Sequence, residues 1–169
     1  MSTSRIKLLS GGFYDFVDLH ESEYDITDIA HNLSRICRYT GAVEKHYSVG
    51  QHAILVSYAV DKEHALAALM HDASESFMND LNSPLKALIP AYKRLEIKVE
   101  KEIFKRFGLK FPMHPSIKVA DTNILQAENY YLRGIDNKLG PYFKKIVPWT
   151  AEKAKREFLK RFVELTENK

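Results

Sequence analysis

The segment Ala65-Leu-Ala-Ala-Leu-Met-His-Asp-Ala-Ser-Glu75 is the most informative part of the chain. Apolar residues occupy almost every position around a helix drawn through it, and a helix that is apolar all round is normally buried. The same segment carries His71, Asp72 and Glu75 close together. Burying an ionised carboxylate is very costly unless the charge is paired or binds a metal. The segment therefore predicts a core helix whose polar side chains hold a cation.

Composition sets the broad class of the protein. The 169 residues are 45% hydrophobic and 28% charged, which is typical of one globular domain, and we expect a single domain over 1–169. No apolar run is long enough for a membrane span, and the N-terminus has no secretory signal pattern. Cys37 is the only cysteine, which excludes an internal disulfide and a thiolate zinc site. An intracellular, cytoplasmic protein is expected, and a net charge of +3 does not favour binding to duplex nucleic acid.

Periodicity predicts an all-α fold with a small N-terminal β-hairpin. Two short β-prone runs flank Gly11-Gly12, so residues 1–20 are expected to form a hairpin flap over a helical core at 27–166. An alternative is that the hairpin aromatics line a ligand pocket. Apolar periodicity, capping residues and helix breakers predict the following helices. The first begins at residue 27 and is stopped by Gly41, and the others are 48–60, 63–78, a short helix that begins at Ser83-Pro84, 90–107, 116–133 and 150–165.

Four polar residues occupy positions where the predicted helices should be apolar. They are His52, His71, Asp72 and Asp121, and they come from three different helices. Helical bundles build metal sites from inward side chains of facing helices. Two imidazoles and two carboxylates suit Mn²⁺, Fe²⁺, Co²⁺ or Ni²⁺ and suit Mg²⁺ less well, while Zn²⁺ stays open. Glu75, one turn after Asp72, and Asp80, just beyond the helix, could orient or deprotonate a metal-activated water.

These motifs resemble a known family. The pattern His52, His71-Asp72 and Asp121 is similar to that of the HD-domain metal-dependent phosphohydrolases. Tyr47-Ser-Val-Gly-Gln-His52, then His71-Asp-Ala-Ser-Glu75 and Asp80-Leu-Asn-Ser-Pro-Leu-Lys86, resemble the 5′-deoxynucleotidase branch of that family. The upstream segment Asp28-Ile-Ala-His-Asn-Leu-Ser-Arg-Ile-Cys-Arg38-Tyr and the segment around Trp149 resemble a narrower group that includes phage and prophage enzymes, among them phage dATP triphosphohydrolases.

The resemblance implies a single HD-domain bundle in which His52, His71, Asp72 and Asp121 bind a divalent metal ion. Glu75 would act on the attacking water or hold a second ion, and Asp80 would position or activate the nucleophile. Four further residues would contact substrate, namely Arg38 at phosphate or sugar, Lys86 at phosphate, and Phe16 and His20 near the base. The implied protein is homo-oligomeric and acts on small nucleotides in the bacterial host.

The implied reaction is hydrolysis of dATP to deoxyadenosine and triphosphate, by attack of metal-activated water on the α-phosphorus. Release of phosphate from deoxynucleoside monophosphates is the alternative within the family, and a non-catalytic nucleotide-binding module is the alternative outside enzymes. One position departs from the group pattern. Ala42 stands after Gly41, where the group often has a histidine, which bears on the choice between mono- and triphosphate.

Overall fold

The computed structural model describes residues 4–135 and 145–167. The expected all-α fold with a small hairpin is confirmed at this level, because eight α-helices follow one two-stranded antiparallel sheet in the described part. The remaining residues of the predicted 1–20 and 27–166 regions lie outside it. The elements are β1 Arg5–Lys7, β2 Phe13–Asp15, α1 Ile26–Arg35, α2 Val49–Tyr58, α3 Ala65–Leu69, α4 Glu75–Met78, α5 Ser83–Ala87, α6 Pro90–Arg106, α7 Pro115–Arg133 and α8 Ala151–Glu167.

Helix α2 lies at the centre of the bundle. It packs against α1, α3, α7 and α8, so its side chains are buried on nearly every face. Gly50 allows α1 to approach closely, because a Cβ at this position would lie 3.2 Å from the backbone nitrogen of Ser34. The Ser48 side chain caps the helix by accepting a hydrogen bond from the Gln51 backbone N–H. This packing fixes the first turn of α2, which carries His52.

The prediction of one continuous helix over 63–78 is wrong. The structure has a 3₁₀ turn at Lys62–His64, then α3, then turns over 70–74 before α4 begins at Glu75. The backbone N–H groups of His71, Ala73 and Glu75 bond three residues back rather than four. The chain therefore tightens where His71 and Asp72 occur, and both side chains are presented from a turn rather than from a helix.

Helix α1 also differs at both ends from the prediction. The sequence predicts a helix that begins at Thr27 and uses this residue as its N-cap. The N-cap in the structure is Asp25, because its carboxylate accepts hydrogen bonds from the backbone N–H groups of Thr27 and Asp28. The helix ends at Arg35, and Gly41 instead closes a separate 3₁₀ turn over Arg38–Gly41. The earlier ending matters because it leaves Arg38 on a turn that packs beside α7.

The hairpin joins the core through its aromatic residues. The buried ring of Tyr14 stacks on Phe77 with ring centroids 3.9 Å apart, and Phe16 packs edge-on against Tyr14. Gly11, at φ 96°, permits the turn between the strands. Among the described residues, no helix is both long enough and apolar enough to cross a membrane.

Candidate metal centre

Two buried imidazoles form the floor of the site. His52 comes from the first turn of α2 and His71 from the turn after α3, with ring centroids 5.3 Å apart. Nδ1 of His71 lies 2.8 Å from the Ala68 carbonyl oxygen, and Nδ1 of His52 lies 2.6 Å from Glu128 Oε1. A carbonyl or carboxylate oxygen can only accept, so each Nδ1 carries a proton. In the neutral imidazole Nε2 then has a free lone pair.

The Asp72 carboxylate lies between these two nitrogens. Its Oδ2 is 3.2 Å from His71 Nε2 and 3.7 Å from His52 Nε2. Potential ligand atoms of the three residues all lie within 4.8 Å of one another. Burial acts to raise the pKa of Asp72, but His71, His52 and Arg38 together hold it well below the usual value. The Asp72 carboxylate therefore faces the Nε2 atoms of both imidazoles.

Asp121 adds a second carboxylate from α7. Its Oδ1 lies 3.2 Å from His52 Nε2, and its Oδ2 accepts a hydrogen bond of 2.7 Å from Lys118. Burial opposes ionisation of Asp121, but its close contact with His52 and its hydrogen bond from Lys118 lower its pKa below the usual value. Asp121 is thus held as an anion beside the His52-His71-Asp72 group.

The residues present fit a divalent cation. Nε2 of His52 and Nε2 of His71 are both buried and make no hydrogen bond within the described part of the chain. Buried polar atoms are normally satisfied, so two orphaned imidazole nitrogens that face carboxylates need an explanation. A cation accepts all of these lone pairs at once, and imidazole with carboxylate is a donor set that first-row divalent metals take readily. The Glu128–His52 contact resembles the outer carboxylate–histidine bond that is usual beside metal-ligating histidines.

Glu75 lines the same cavity as His71 and Asp72, and it interacts electrostatically with Asp72 and Asp80. Burial, followed by the charges of Asp72 and Asp80, raises the pKa of Glu75 well above the usual value. Burial also raises the pKa of Asp80, although Arg38 opposes the shift. Glu75 Oε2 is buried and has no hydrogen-bond partner in the described part. A buried carboxyl with a raised pKa in a cleft is typical of acid–base sites.

A cavity of about 260 Å³ opens onto the centre. The cavity is lined by His71, Asp72, Ser74, Glu75 and Asp121, and by residues of α5, of α6, and of the segment that leads into α7. These further residues are Lys86, Glu96, Glu100, Met113, His114, Pro115, Ile117 and Lys118. Five of the lining side chains are carboxylates, and the two lysines are each ion-paired to one of them, Lys86 to Glu96 and Lys118 to Asp121. The cavity wall is therefore acidic.

The four residues predicted to contact substrate lie in different parts of the structure. Lys86 lines the cavity. The Arg38 guanidinium is 11% exposed, pairs with Glu128 at 3.1 Å and directs Nη1 to within 3.8 Å of Asp72. Phe16 packs against the hydrophobic core, and His20 lies on the protein exterior beside Glu102, with 3.1 Å between Nδ1 and Oε1. Neither Phe16 nor His20 lines this cavity, so the structure does not bring them to the centre.

Sequence reasoning missed Glu128. It is completely buried on α7, two turns after Asp121 and hence on the same side of the helix. Its carboxylate bonds to His52, Tyr47, Tyr39 and Arg38. A glutamate inside the apolar stripe of Ile117, Ala120 and Ile124 was a visible signal, of the same kind that singled out Asp121. These bonds and the Arg38 charge lower the pKa of Glu128 to about 2 against the opposing effect of burial.

Comparison with known proteins finds relatives over most of the chain. Uncharacterized protein YfdR of Escherichia coli strain K12 is 37% identical over 172 aligned residues, which cover 97% of each chain. An uncharacterized protein of Rhodobacter capsulatus is 32% identical over 142 residues, which cover 76% of this chain and 72% of that protein. No protein-family model matches the chain. Neither relative's name states an activity, so the evidence for a reaction comes from the residues of the site.

Proposed function

This chain belongs to the family of the Escherichia coli protein YfdR, and for it we propose a metal-dependent phosphohydrolase activity on purine deoxynucleotides. The lead reaction is hydrolysis of dATP to deoxyadenosine and triphosphate by attack of water on the α-phosphorus. The proposal rests on one observation: Nε2 of His52 and Nε2 of His71 are buried, lack a hydrogen-bond partner among the described residues, and lie close to Asp72. The likeness of the surrounding motifs to HD-domain phosphohydrolases supplies the reaction class.

The residues divide into three roles under this proposal. His52, His71, Asp72 and Asp121 would hold one divalent cation, of Mn²⁺, Co²⁺, Fe²⁺, Ni²⁺, Mg²⁺ or Zn²⁺, and a second ion is compatible with substrate bound. Such a cation lowers the pKa of water and polarises a phosphoryl oxygen. Glu75 or Asp80 would accept the proton of the attacking water, since burial makes either carboxylate a stronger base than one in water.

Cationic side chains would neutralise charge on the phosphate oxygens. Arg38 has Nη1 directed toward Asp72, and Lys86 lines the cavity, so both could contact a phosphoryl group near the centre. Preorganised cations of this kind stabilise charge that develops in a transition state. The proposal includes a homo-oligomer that acts in the bacterial cytoplasm, whether a bacterial, phage or prophage gene encodes it. Light scattering tests the oligomeric state.

A 5′-deoxynucleotidase is the second candidate, and the cavity favours it. A volume of about 260 Å³ lies just below the range of about 300–1,000 Å³ usual for small-molecule sites. Its wall has five carboxylates, and both of its lysines are already ion-paired. A monophosphate brings less bulk and less negative charge into this wall than a triphosphate. The same catalytic residues would then release orthophosphate from a deoxynucleoside monophosphate.

A product assay tests the proposal. The purified protein is incubated with Mn²⁺ or Co²⁺ and each deoxynucleoside mono- or triphosphate, and products are separated by ion-pair chromatography. Intact triphosphate from dATP supports the lead reaction, and orthophosphate from monophosphates alone supports the second. Asp72→Ala is the inactive control, and Asp61→Ala, at an exposed aspartate outside the cavity, is the matched active control. No turnover of any nucleotide by metal-loaded protein would contradict both reactions and favour a binding module.

A further inference from the structure

Glu128 uses both carboxylate oxygens, and each oxygen serves a different part of the site. Oε1 accepts hydrogen bonds from His52 Nδ1 at 2.6 Å and from the Tyr47 hydroxyl at 2.7 Å. Oε2 accepts from the Tyr39 hydroxyl at 2.5 Å and from Arg38, at 3.2 Å from Nε and 3.1 Å from Nη2. One buried side chain therefore contacts a proposed metal ligand and the buried arginine beside the centre.

We propose that Glu128 is a positioning residue that keeps His52 in its metal-binding tautomer and holds Arg38 in place for an anion. The metal site and the arginine would then depend on one carboxylate. The inference about Arg38 rests on the proposed phosphohydrolase function, whereas the inference about the His52 tautomer stands on the hydrogen bonds alone.

The position of the proton on His52 follows from which of the neighbouring groups can donate a hydrogen bond. A carboxylate has no proton to give, so the short contact requires Nδ1–H on His52 and leaves the Nε2 lone pair for a cation. Nε2 is buried, makes no hydrogen bond in the described part and lies 3.2 Å from Asp121 Oδ1. The opposite tautomer would place the proton on Nε2, where it would block coordination by His52.

The second oxygen holds a strained turn. Tyr39 and Thr40 both have left-handed backbone conformations, with φ of 59° and 54°, in the 3₁₀ turn that begins at Arg38. Such conformations are unfavourable for residues other than glycine and persist only where the surroundings impose them. The bonds from Tyr39 and Arg38 to Glu128 tie this turn to α7. They leave Arg38 Nη1 directed toward Asp72, 3.8 Å away.

Glu128→Gln separates the two duties, because an amide has only one acceptor oxygen. Arg38 can only donate, whereas a neutral imidazole can accept at Nδ1, so we expect the amide oxygen to face Arg38 and the NH₂ group to face His52. His52 then carries its proton on Nε2. Calorimetric titration with Mn²⁺ alone should show metal affinity weakened by about 10–100-fold, the usual effect of losing such an outer hydrogen bond.

Tyr47→Phe is the matched control. It removes a hydrogen bond to the same Oε1 atom but leaves the carboxylate acceptor for His52. We expect Tyr47→Phe to lower the melting temperature while Mn²⁺ affinity changes little. Wild-type Mn²⁺ affinity in folded Glu128→Gln would overturn the proposal. So would an equal loss of affinity in Tyr47→Phe, because that result would indicate general loosening of the core rather than control of the tautomer.

Two further measurements test the His52 tautomer and the role of Arg38 separately. Proton–nitrogen correlation spectra of histidine-labelled wild-type protein report the His52 tautomer directly, even if Glu128→Gln does not fold, and a proton on Nε2 in place of Nδ1 would overturn the proposal. Titration of metal-loaded protein with inorganic phosphate tests Arg38. Arg38→Lys, which cannot reproduce the forked contact, should weaken phosphate binding and keep Mn²⁺ affinity. Unchanged phosphate affinity would refute the part concerning Arg38 and leave the tautomer result standing.

Discussion

Asp72→Ala should abolish the stabilisation of the protein by a divalent cation. The Asp72 carboxylate is the one group of the cluster that approaches both orphaned nitrogens, at 3.2 and 3.7 Å, so its removal takes away the anion that completes the site. At a metal concentration one hundred times the dissociation constant, ligand binding stabilises the folded wild type by about 2.7 kcal/mol. For a chain of 169 residues this corresponds to a rise in melting temperature of roughly 5–11 °C.

The assay is thermal unfolding followed by circular dichroism, with and without Mn²⁺. The wild type and Asp61→Ala should show the full rise, and Asp72→Ala should show almost none. Helical content should persist in Asp72→Ala, because the side chain is 21% exposed and Arg38 keeps its pairing with Glu128. An unchanged metal-induced rise in Asp72→Ala would refute the assignment of Asp72 as a ligand.

Three other substitutions test separate parts of the structure. Burial, and then the charges of Glu96 and Asp72, raise the pKa of Glu100 from 4.5 to about 7, so ionising it costs the folded state stability. In urea denaturation, the free energy of unfolding of Glu100→Gln should therefore equal that of wild type at pH 4 and exceed it at pH 8 by about 1–2 kcal/mol, after allowance for solvent screening. A variant that is less stable than wild type at pH 8 would contradict this. The buried Gln51 side chain donates to the Val147 carbonyl at 2.9 Å and accepts from the Trp149 N–H at 2.8 Å, so Gln51→Ala should cost about 1–3 kcal/mol. No measurable loss would show that this link to the segment before α8 is not stabilising. Glu75→Gln should lower kcat on the substrate that the product assay identifies by about 10²–10⁴-fold with a smaller effect on nucleotide binding, and an unchanged kcat would remove Glu75 from the proposed chemistry.

The sequence was informative about the metal centre because its signal is local. A histidine or aspartate on an apolar helical stripe is conspicuous wherever it occurs, and His52, His71 and Asp72 do converge in the structure. Asp121 was found in the same way and lies against His52. The broad fold followed for a similar reason, since periodicity and caps such as Ser48 and Gly134 are readable without knowledge of distant contacts.

Features that depend on long-range partners were not predictable. The interruption at residues 70–74 arises where the His71 ring bonds the Ala68 carbonyl, which no propensity rule encodes. The segment Ser48-Val-Gly-Gln51 has the pattern of a capping box, which predicts that Gln51 reaches back to its own cap. Its side chain instead bonds residues near the other end of the chain. Glu128 escaped notice because its four partners come from positions 38–52, far from α7 in sequence.

A crystal structure of the protein soaked with Mn²⁺, with anomalous diffraction to locate the ion, tests the central claim most directly. The proposed centre predicts one strong anomalous peak within direct coordination distance of Nε2 of His52, Nε2 of His71 and a carboxylate oxygen of Asp72. Asp121 should complete the coordination, and Nδ1 of His52 should still contact Glu128. Manganese bound only at other positions, with both Nε2 atoms left uncoordinated, would contradict the metal centre and the hydrolytic function argued from it.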